Sequence, residues 1–130
     1  MTGNNYLLDT NIISALFKGE AVIANKIDEA ANVCIPVITI GEIYFGAELS
    51  NNSFEYIRDI EKLKTSYPVC IIDNDACRHY AFIKARLGKK GKPIPENDIW
   101  IAAIALQNNL IVATRDNHFF EIDGLSVEVW

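Results

Sequence analysis

Short apolar runs alternate along the chain with longer segments in which apolar residues recur every three or four positions. The runs predict buried strands, and the recurrence predicts helices that turn one face toward a core. The predicted strands are residues 7–9, 33–35, 69–72, 111–113 and 125–130. Since strands separated by helices form a covered parallel sheet, the sequence predicts a three-layer α/β/α domain around a mostly parallel five-stranded sheet.

Helices are predicted wherever the three-to-four-residue recurrence is bounded by capping residues, glycine or proline. Four of them cover residues 10–17, 21–31, 37–49 and 54–66. A fifth is capped at residues 73–74 and runs to about 87, and a sixth is opened by residues 95–98 and stopped at 108–109. A basic, glycine-rich loop is expected over residues 88–93, between the last two helices. The final strand alternates apolar and polar residues, as an edge strand does.

Composition narrows the class of protein. The 130 residues are 50% hydrophobic and 22% charged, which predicts one globular domain spanning residues 1–130. No apolar run approaches the roughly 18 residues of a membrane helix, and the first residues lack the features of a signal peptide. Three cysteines without a C-x-x-C pair favour a reduced, cytoplasmic compartment.

The net charge of −5 argues against a protein that binds nucleic acid through bulk positive charge. It does not argue against an enzyme whose acids hold metal ions, because the ions reverse the local sign of the charge.

Acidic residues follow two of the predicted strands directly. Asp9 ends the first strand, and Asp116 closely follows the fourth. Since the carboxyl ends of parallel strands share one edge of a sheet, we expect these acids to converge. Asp98 begins the helix before the fourth strand, and Glu42 lies in mid-helix among apolar neighbours. A buried carboxylate needs a partner, so the sequence predicts one acidic cleft.

Repulsion inside such a cleft indicates what the partner is. Two carboxylates about 5 Å apart repel by roughly 3 kcal/mol at an effective dielectric constant of about 20. Arg115 is the single cationic neighbour in the sequence, and it cannot neutralise four acids. A hard divalent cation such as Mg²⁺ or Mn²⁺ suits carboxylate oxygens. The expected chemistry is metal-assisted attack of water on a phosphodiester.

Four segments of the chain, residues 8–11, 41–46, 97–103 and 113–119, resemble the motifs of PIN-domain ribonucleases. The sequence is most similar to the VapC-type toxins of bacterial toxin–antitoxin pairs. The resemblance runs nearly end to end and includes residues 91–94 and 124–125. Each motif alone is weakly specific, but four in the same order and spacing are specific together.

The resemblance implies roles for individual residues. It makes four acids the catalytic set that holds Mg²⁺ or Mn²⁺, here called the acidic quartet: Asp9, Glu42, Asp98 and Asp116. It makes Thr10, Asn11 and Thr114 supporting residues that orient a carboxylate or a water molecule. It also implies an RNA substrate (tRNA, rRNA or mRNA), a cognate antitoxin that blocks the site, and a homodimer.

Positive charge is concentrated just before Asp98, and it has two interpretations. Lys89, Lys90 and Lys92, together with Arg115, contact RNA phosphates in one interpretation. A solvated charged loop is the other. Whether Arg115 reaches a phosphate or an acid stays open.

Simpler interpretations exist for each acid of the quartet. Asp9 could cap the following helix, and Asp98 could be a first-turn acid that favours the helix dipole. Glu42 could pair with a lysine or arginine elsewhere, and Asp116 could be an ordinary turn residue. We expect Glu96 to be solvated, His79 to be structural or at the surface, and His118 not to act as a general base. These three residues are not assigned to the predicted metal site.

Other functions share parts of this pattern. A PIN-fold nuclease could process RNA or DNA in housekeeping, and a non-catalytic module could bind RNA or protein. A phosphoryl-accepting receiver domain is excluded, because the chain lacks an acidic pair after the first strand and a lysine after the last core strand.

Overall fold

The computed structural model describes residues 3–130 and contains a five-stranded sheet. The strands are β1 (Asn5–Leu8), β2 (Asn32–Pro36), β3 (Val69–Cys70), β4 (Ile111–Thr114) and β5 (Val127–Val129). Their order across the sheet is β3-β2-β1-β4-β5, and all four pairings are parallel. The predicted parallel sheet is confirmed, with β5 at one edge.

Six helices cover the sheet. They are α1 (Thr10–Phe17), α2 (Ala21–Glu29), α3 (Val37–Leu49), α4 (Ser53–Ser66), α5 (Asn74–Lys90) and α6 (Glu96–Asn108), and a 3-10 helix spans Asn117–Glu121. In the core, α1 to α4 pack on one face of the sheet, and α5 and α6 on the other. The three-layer prediction is therefore confirmed. No helix within residues 3–130 is both long and apolar enough to cross a bilayer.

The two central strands supply side chains to both cores. Leu8 and Ala113 face α1 to α4, whereas Leu7 and Val112 face α5 and α6. All four are fully buried. Burying one such aliphatic side chain contributes about 1.5–3 kcal/mol, so β1 and β4 are fixed in the middle of the sheet.

Helix α5 is longer than the sequence pattern predicts. It continues through Gly88 to Lys90, and the loop begins only at Gly91, whose φ of +68° is left-handed. Glycine adopts this conformation without strain and commonly ends helices. The expectation of a loop from residue 88 is therefore wrong, because a single glycine inside a helix costs only about 1 kcal/mol and packing elsewhere overcomes that cost.

Several element boundaries also differ from the prediction. β1 ends at Leu8, and Asp9 is the N-cap of α1. β3 contains only Val69 and Cys70, where a longer run was expected. β5 is limited to Val127–Val129, and α2 ends at Glu29 because Ala30 has an extended backbone. None of these differences alters the order of the elements.

Candidate active site

The carboxyl ends of β1 and β4 lie side by side at one edge of the sheet. Leu8 is paired with Ala113, and the backbone N–H of Asp9 donates to the Ala113 carbonyl at 3.0 Å. Asp9, directly after β1, and Thr114, the last residue of β4, therefore lie next to each other. This is the position at which open α/β sheets bind ligands.

Asp9 is the most buried acid of the quartet, with 5% of its surface exposed. Its Oδ1 accepts the backbone N–H of Thr10 at 2.8 Å, and its Oδ2 accepts the hydroxyl of Thr114 at 2.8 Å. Burial raises the pKa of Asp9, the two hydrogen bonds oppose that rise, and the charge of Asp116 adds to it. The side chain caps α1 and faces the cleft at the same time.

Glu42 reaches the same place from α3. Its Oε1 accepts the hydroxyl of Thr10 at 3.0 Å, and that hydroxyl lies 3.2 Å from the buried hydroxyl of Thr39. Burial raises the pKa of Glu42, the Thr10 hydrogen bond lowers it, and the charge of Asp9 raises it further. Thr10 therefore contacts both Asp9 and Glu42, one through its backbone and the other through its hydroxyl.

Asp98 lies in the first turn of α6 with 15% of its side chain exposed. Burial raises the pKa of Asp98 to about 6; a contact with His118 opposes the rise, and the charges of Asp9 and Asp116 add to it. The favourable position at the start of a helix does not offset the cost of burying this charge.

Asp116 and His118 close the cleft from the segment after β4. The backbone N–H of Asp116 donates to the Thr114 hydroxyl oxygen at 2.9 Å, and Asp116 Oδ1 accepts the backbone N–H of His118 at 3.0 Å. The Nδ1 atom of His118 lies 3.1 Å from both Asp98 Oδ2 and Asp116 Oδ1. Sequence reasoning set His118 aside, although its place two residues after Asp116 was the available signal.

A chain of contacts thus joins all four acids. Thr10 links Glu42 to Asp9, Thr114 links Asp9 to Asp116, and His118 links Asp116 to Asp98. The fold thus places the four acids in one hydrogen-bonded network, although among the described residues the one group of three with ligand atoms within 4.8 Å of one another is Asp98, Asp116 and His118, without Asp9 or Glu42.

The electrostatics of the quartet suit a divalent cation. Across the described residues, no lysine or arginine forms an ion pair with a quartet acid. Three of the acids have a pKa raised by burial, so their charged forms lack sufficient compensation. Clustered carboxylate oxygens without a cationic side chain are a donor set that fits Mg²⁺ or Mn²⁺.

Asn11 has a different position from the two threonines. Its Oδ1 accepts the backbone N–H of Arg115 at 3.2 Å, which ties the start of α1 to the segment after β4. Thr10 and Thr114 contact quartet acids directly, whereas Asn11 holds the loop that carries Asp116.

Two of the four basic residues considered for RNA contact have acidic partners. The guanidinium of Arg115 pairs with both carboxylate oxygens of Glu20, at 2.8 and 3.2 Å, and its Nε donates to the Trp130 carbonyl. Lys90 Nζ lies 3.0 Å from Asp123 Oδ1. Arg115 therefore reaches an acid, Glu20, that lies outside the quartet.

The other two basic residues, Lys89 and Lys92, are exposed. Glu96, which was expected to be solvated, is exposed and paired with Lys84 at 3.1 Å.

A groove of about 440 Å³ opens beside the quartet between α1, α3 and α4. Its lining includes Thr10 and Glu42 together with Phe17, Tyr56 and Asp59. A second groove of about 320 Å³ shares Phe17 and Asp59 with the first. The two grooves are therefore neighbours, and Glu42 is the quartet acid that lines the first.

Comparison with known proteins extends over almost the whole chain. The PIN domain family model matches residues 6–125. Ribonuclease VapC2 of Haemophilus influenzae is 34% identical over 128 residues, which cover 96% of this chain and 97% of that protein. The tRNA(fMet)-specific endonuclease VapC of Shigella flexneri is 30% identical over 128 residues, with the same coverage of both. The solved structure of VapBC-1 from nontypeable Haemophilus influenzae has a TM-score of 0.89 at 34% identity, covering 97% of this chain and 98% of that one.

Proposed function

This chain belongs to the PIN-domain family, and we propose that it is a divalent-metal-dependent endoribonuclease of the VapC type, the toxin of a toxin–antitoxin pair. The observation that carries the proposal is the convergence of Asp9, Glu42, Asp98 and Asp116 from four separate elements. Relatives of nearly the same length that are named ribonuclease and endonuclease support the reaction class.

The acidic quartet would hold Mg²⁺ or Mn²⁺. When bound, such an ion lowers the pKa of a water molecule and neutralises negative charge that develops on the phosphate. The protein residues keep the acids in place: the hydroxyls of Thr10 and Thr114 each donate to one carboxylate. Thr114 is buried and Thr10 is half-buried, so water competes little with these hydroxyls for the carboxylates.

The substrate class is RNA. Lys89 and Lys92, both exposed at the end of α5 and in the following loop, would contact phosphates beside the scissile bond. Lys90 and Arg115 would contribute only by exchanging their present acidic partners for phosphate. The specificity of the Shigella flexneri relative makes tRNA the first substrate to test among tRNA, rRNA and mRNA.

The antitoxin would occupy the groove beside the quartet. The groove combines the apolar Phe17 and Tyr56 with acidic residues, including Glu42 and Asp59. This lining suits an amphipathic segment with a basic residue directed at the acids. Such an occupant would block both the cation and the RNA.

A homodimer would cover an apolar strip of α3. Phe45 and Leu49 are 65% and 74% exposed, and they lie on the helix face that also carries Glu42. Exposed apolar neighbours of this size mark an interaction surface.

The three cysteines are free thiols, which supports the cytoplasm as the location.

The test is cleavage of defined RNA pools by the purified protein. Separate tRNA, rRNA and mRNA pools are incubated with Mg²⁺, with Mn²⁺ or with a chelator, and the cut ends are mapped. Asp9→Asn is compared with Asp28→Asn, a matched change at an exposed acid of α2. We expect cleavage that requires metal, falls at least about a hundredfold in Asp9→Asn and persists in Asp28→Asn.

Two outcomes would contradict the proposal. Equal activity in chelator and in metal would remove the cation from the reaction. Cleavage of single-stranded DNA with no cleavage of any RNA pool would instead indicate a DNA-directed nuclease of the same fold.

A further inference from the structure

His118 brings a nitrogen atom into an otherwise oxygen-lined cleft. Its Nδ1 lies 3.1 Å from one carboxylate oxygen of Asp98 and 3.1 Å from one of Asp116. One ligand atom from each of these three residues falls within 4.8 Å of the others. This spacing allows all three atoms to contact a single ion.

The three donors come from two parts of the fold, the start of α6 and the segment after β4. Asp98 is fixed in the first turn of α6, and Asp116 is held through its backbone by Thr114. The backbone N–H of His118 donates to Asp116 Oδ1, which fixes the 3-10 helix that carries the imidazole. A ligand set positioned in this way loses little conformational entropy when it binds an ion.

The chemistry of the donors bears on which ion is preferred. Mg²⁺ in proteins is held by oxygen ligands and water. First-row divalent ions also bind nitrogen donors, with an affinity that is weakest for Mn²⁺ and rises through Fe²⁺ to Co²⁺. Replacing one oxygen donor by nitrogen therefore favours Mn²⁺, and Co²⁺ more strongly, over Mg²⁺.

We propose that His118 is a metal ligand which, with Asp98 and Asp116, forms a cation position within the quartet that selects Mn²⁺ over Mg²⁺. The inference rests on the proposed function only in taking the quartet as a cation site. It adds a residue and a selectivity that the acids alone do not provide.

A purely positioning role for His118 makes a different prediction. If its Nδ1 only donates a hydrogen bond to Asp98, its removal disturbs every cation in the same way. A ligand role instead lowers affinity for Mn²⁺ and Co²⁺ much more than affinity for Mg²⁺. The ratio of affinities separates the two roles.

The experiment is calorimetric titration of the full chain with Mn²⁺ and Mg²⁺ at one fixed neutral pH, without RNA. His118→Gln keeps an amide donor, and His79→Gln on α5 is the matched control, since the chain has two histidines. We expect His118→Gln to lose at least about tenfold in Mn²⁺ affinity and to change Mg²⁺ affinity by less than about threefold. His79→Gln should match the parent protein for both ions.

Equal losses for both ions, or no loss for either, would overturn the proposal. A second readout uses the unmodified chain, so that it does not depend on whether the variant folds. Co²⁺ should produce hyperfine-shifted imidazole proton resonances, and their absence at saturation would also overturn the proposal. Because neither measurement includes RNA, a failure to cleave RNA is distinguishable from a failure of this assignment.

Discussion

The Thr114 hydroxyl donates a 2.8 Å hydrogen bond to Oδ2 of Asp9, and the two residues are 105 positions apart in the sequence. The same hydroxyl oxygen accepts the backbone N–H of Asp116 at 2.9 Å. One buried side chain thus orients the first and the last acid of the quartet. It can do so because β1 and β4 are adjacent parallel strands.

Thr114→Val should weaken both the fold and the site. The substitution keeps the shape but leaves a buried carboxylate oxygen of Asp9 and the N–H of Asp116 without their partner. We expect a loss of about 1–3 kcal/mol in the free energy of unfolding, and roughly a tenfold loss of cleavage rate. Urea denaturation and initial rates measure the two effects. Thr65→Val, at an exposed position of α4, is the control. Equal behaviour of the two variants would contradict the prediction.

Thr10→Val should shift the pH dependence of cleavage. The Thr10 hydroxyl lowers the pKa of Glu42, so its loss raises that pKa further. Because Glu42 must be ionised to hold a cation, the acidic limb of the rate profile should move to higher pH. Initial rates between about pH 5 and about pH 8, at constant Mn²⁺, provide the measurement. Thr10→Ser keeps the hydroxyl and should keep the profile; an unshifted limb in Thr10→Val would refute the role of this hydrogen bond.

Asp98→Asn should stabilise the metal-free protein at neutral pH. The pKa of Asp98 is about 6 in the folded protein, above its ordinary value of 3.8, so the fold binds this proton more tightly than the unfolded chain does. Stability from this group is therefore lost as pH rises from about 4 to about 6. Above that range, the variant should gain about 1–3 kcal/mol over the parent protein.

Urea denaturation in chelator at about pH 4 and about pH 7.5 tests this prediction. The gain should nearly vanish at the lower pH. Asp28→Asn, at an exposed position, should show no pH-dependent gain. A gain of equal size at both pH values would mean that burial of the Asp98 charge is not its cause.

Lys89→Ala combined with Lys92→Ala should weaken RNA binding mainly at low salt. Each phosphate contact that is lost should reduce the slope of log affinity against log salt by about 0.7 for single-stranded RNA. Binding is measured with the Asp9→Asn protein, so that RNA stays intact. Lys62→Ala on α4 is the control. An unchanged slope in the double variant would mean that neither lysine contacts an RNA phosphate.

The sequence predicted the parts of the site that follow strand ends and helix starts. Asp9 and Asp116 were predictable because parallel strands share one edge, and Asp98 because a helix begins there. The closeness of His118 to Asp116 could be read from the sequence, but its contact with Asp98 could not, because that contact depends on a 3-10 turn that directs the imidazole back toward α6. Local periodicity contains no information about such a turn.

The basic residues show the same limit. The pairing of Arg115 with Glu20 joins residues 95 positions apart, and only the packed fold determines their distance. Lys90 was expected in a loop, but it belongs to α5, since Gly91 and not Gly88 ends that helix. Ion pairing and helix length depend on tertiary packing, whereas the positions of the acids depend on the order of strands and helices.

The strand order β3-β2-β1-β4-β5 places the earliest strand beside one that comes about a hundred residues later. Pairing across such a separation carries a large loop-closure cost and is slow to form. A chain still being synthesised therefore contains Asp9 and Glu42 long before it contains Asp116, and it has no complete cleft. The complete acidic cleft can therefore form only after β4 has been synthesised and has paired with β1.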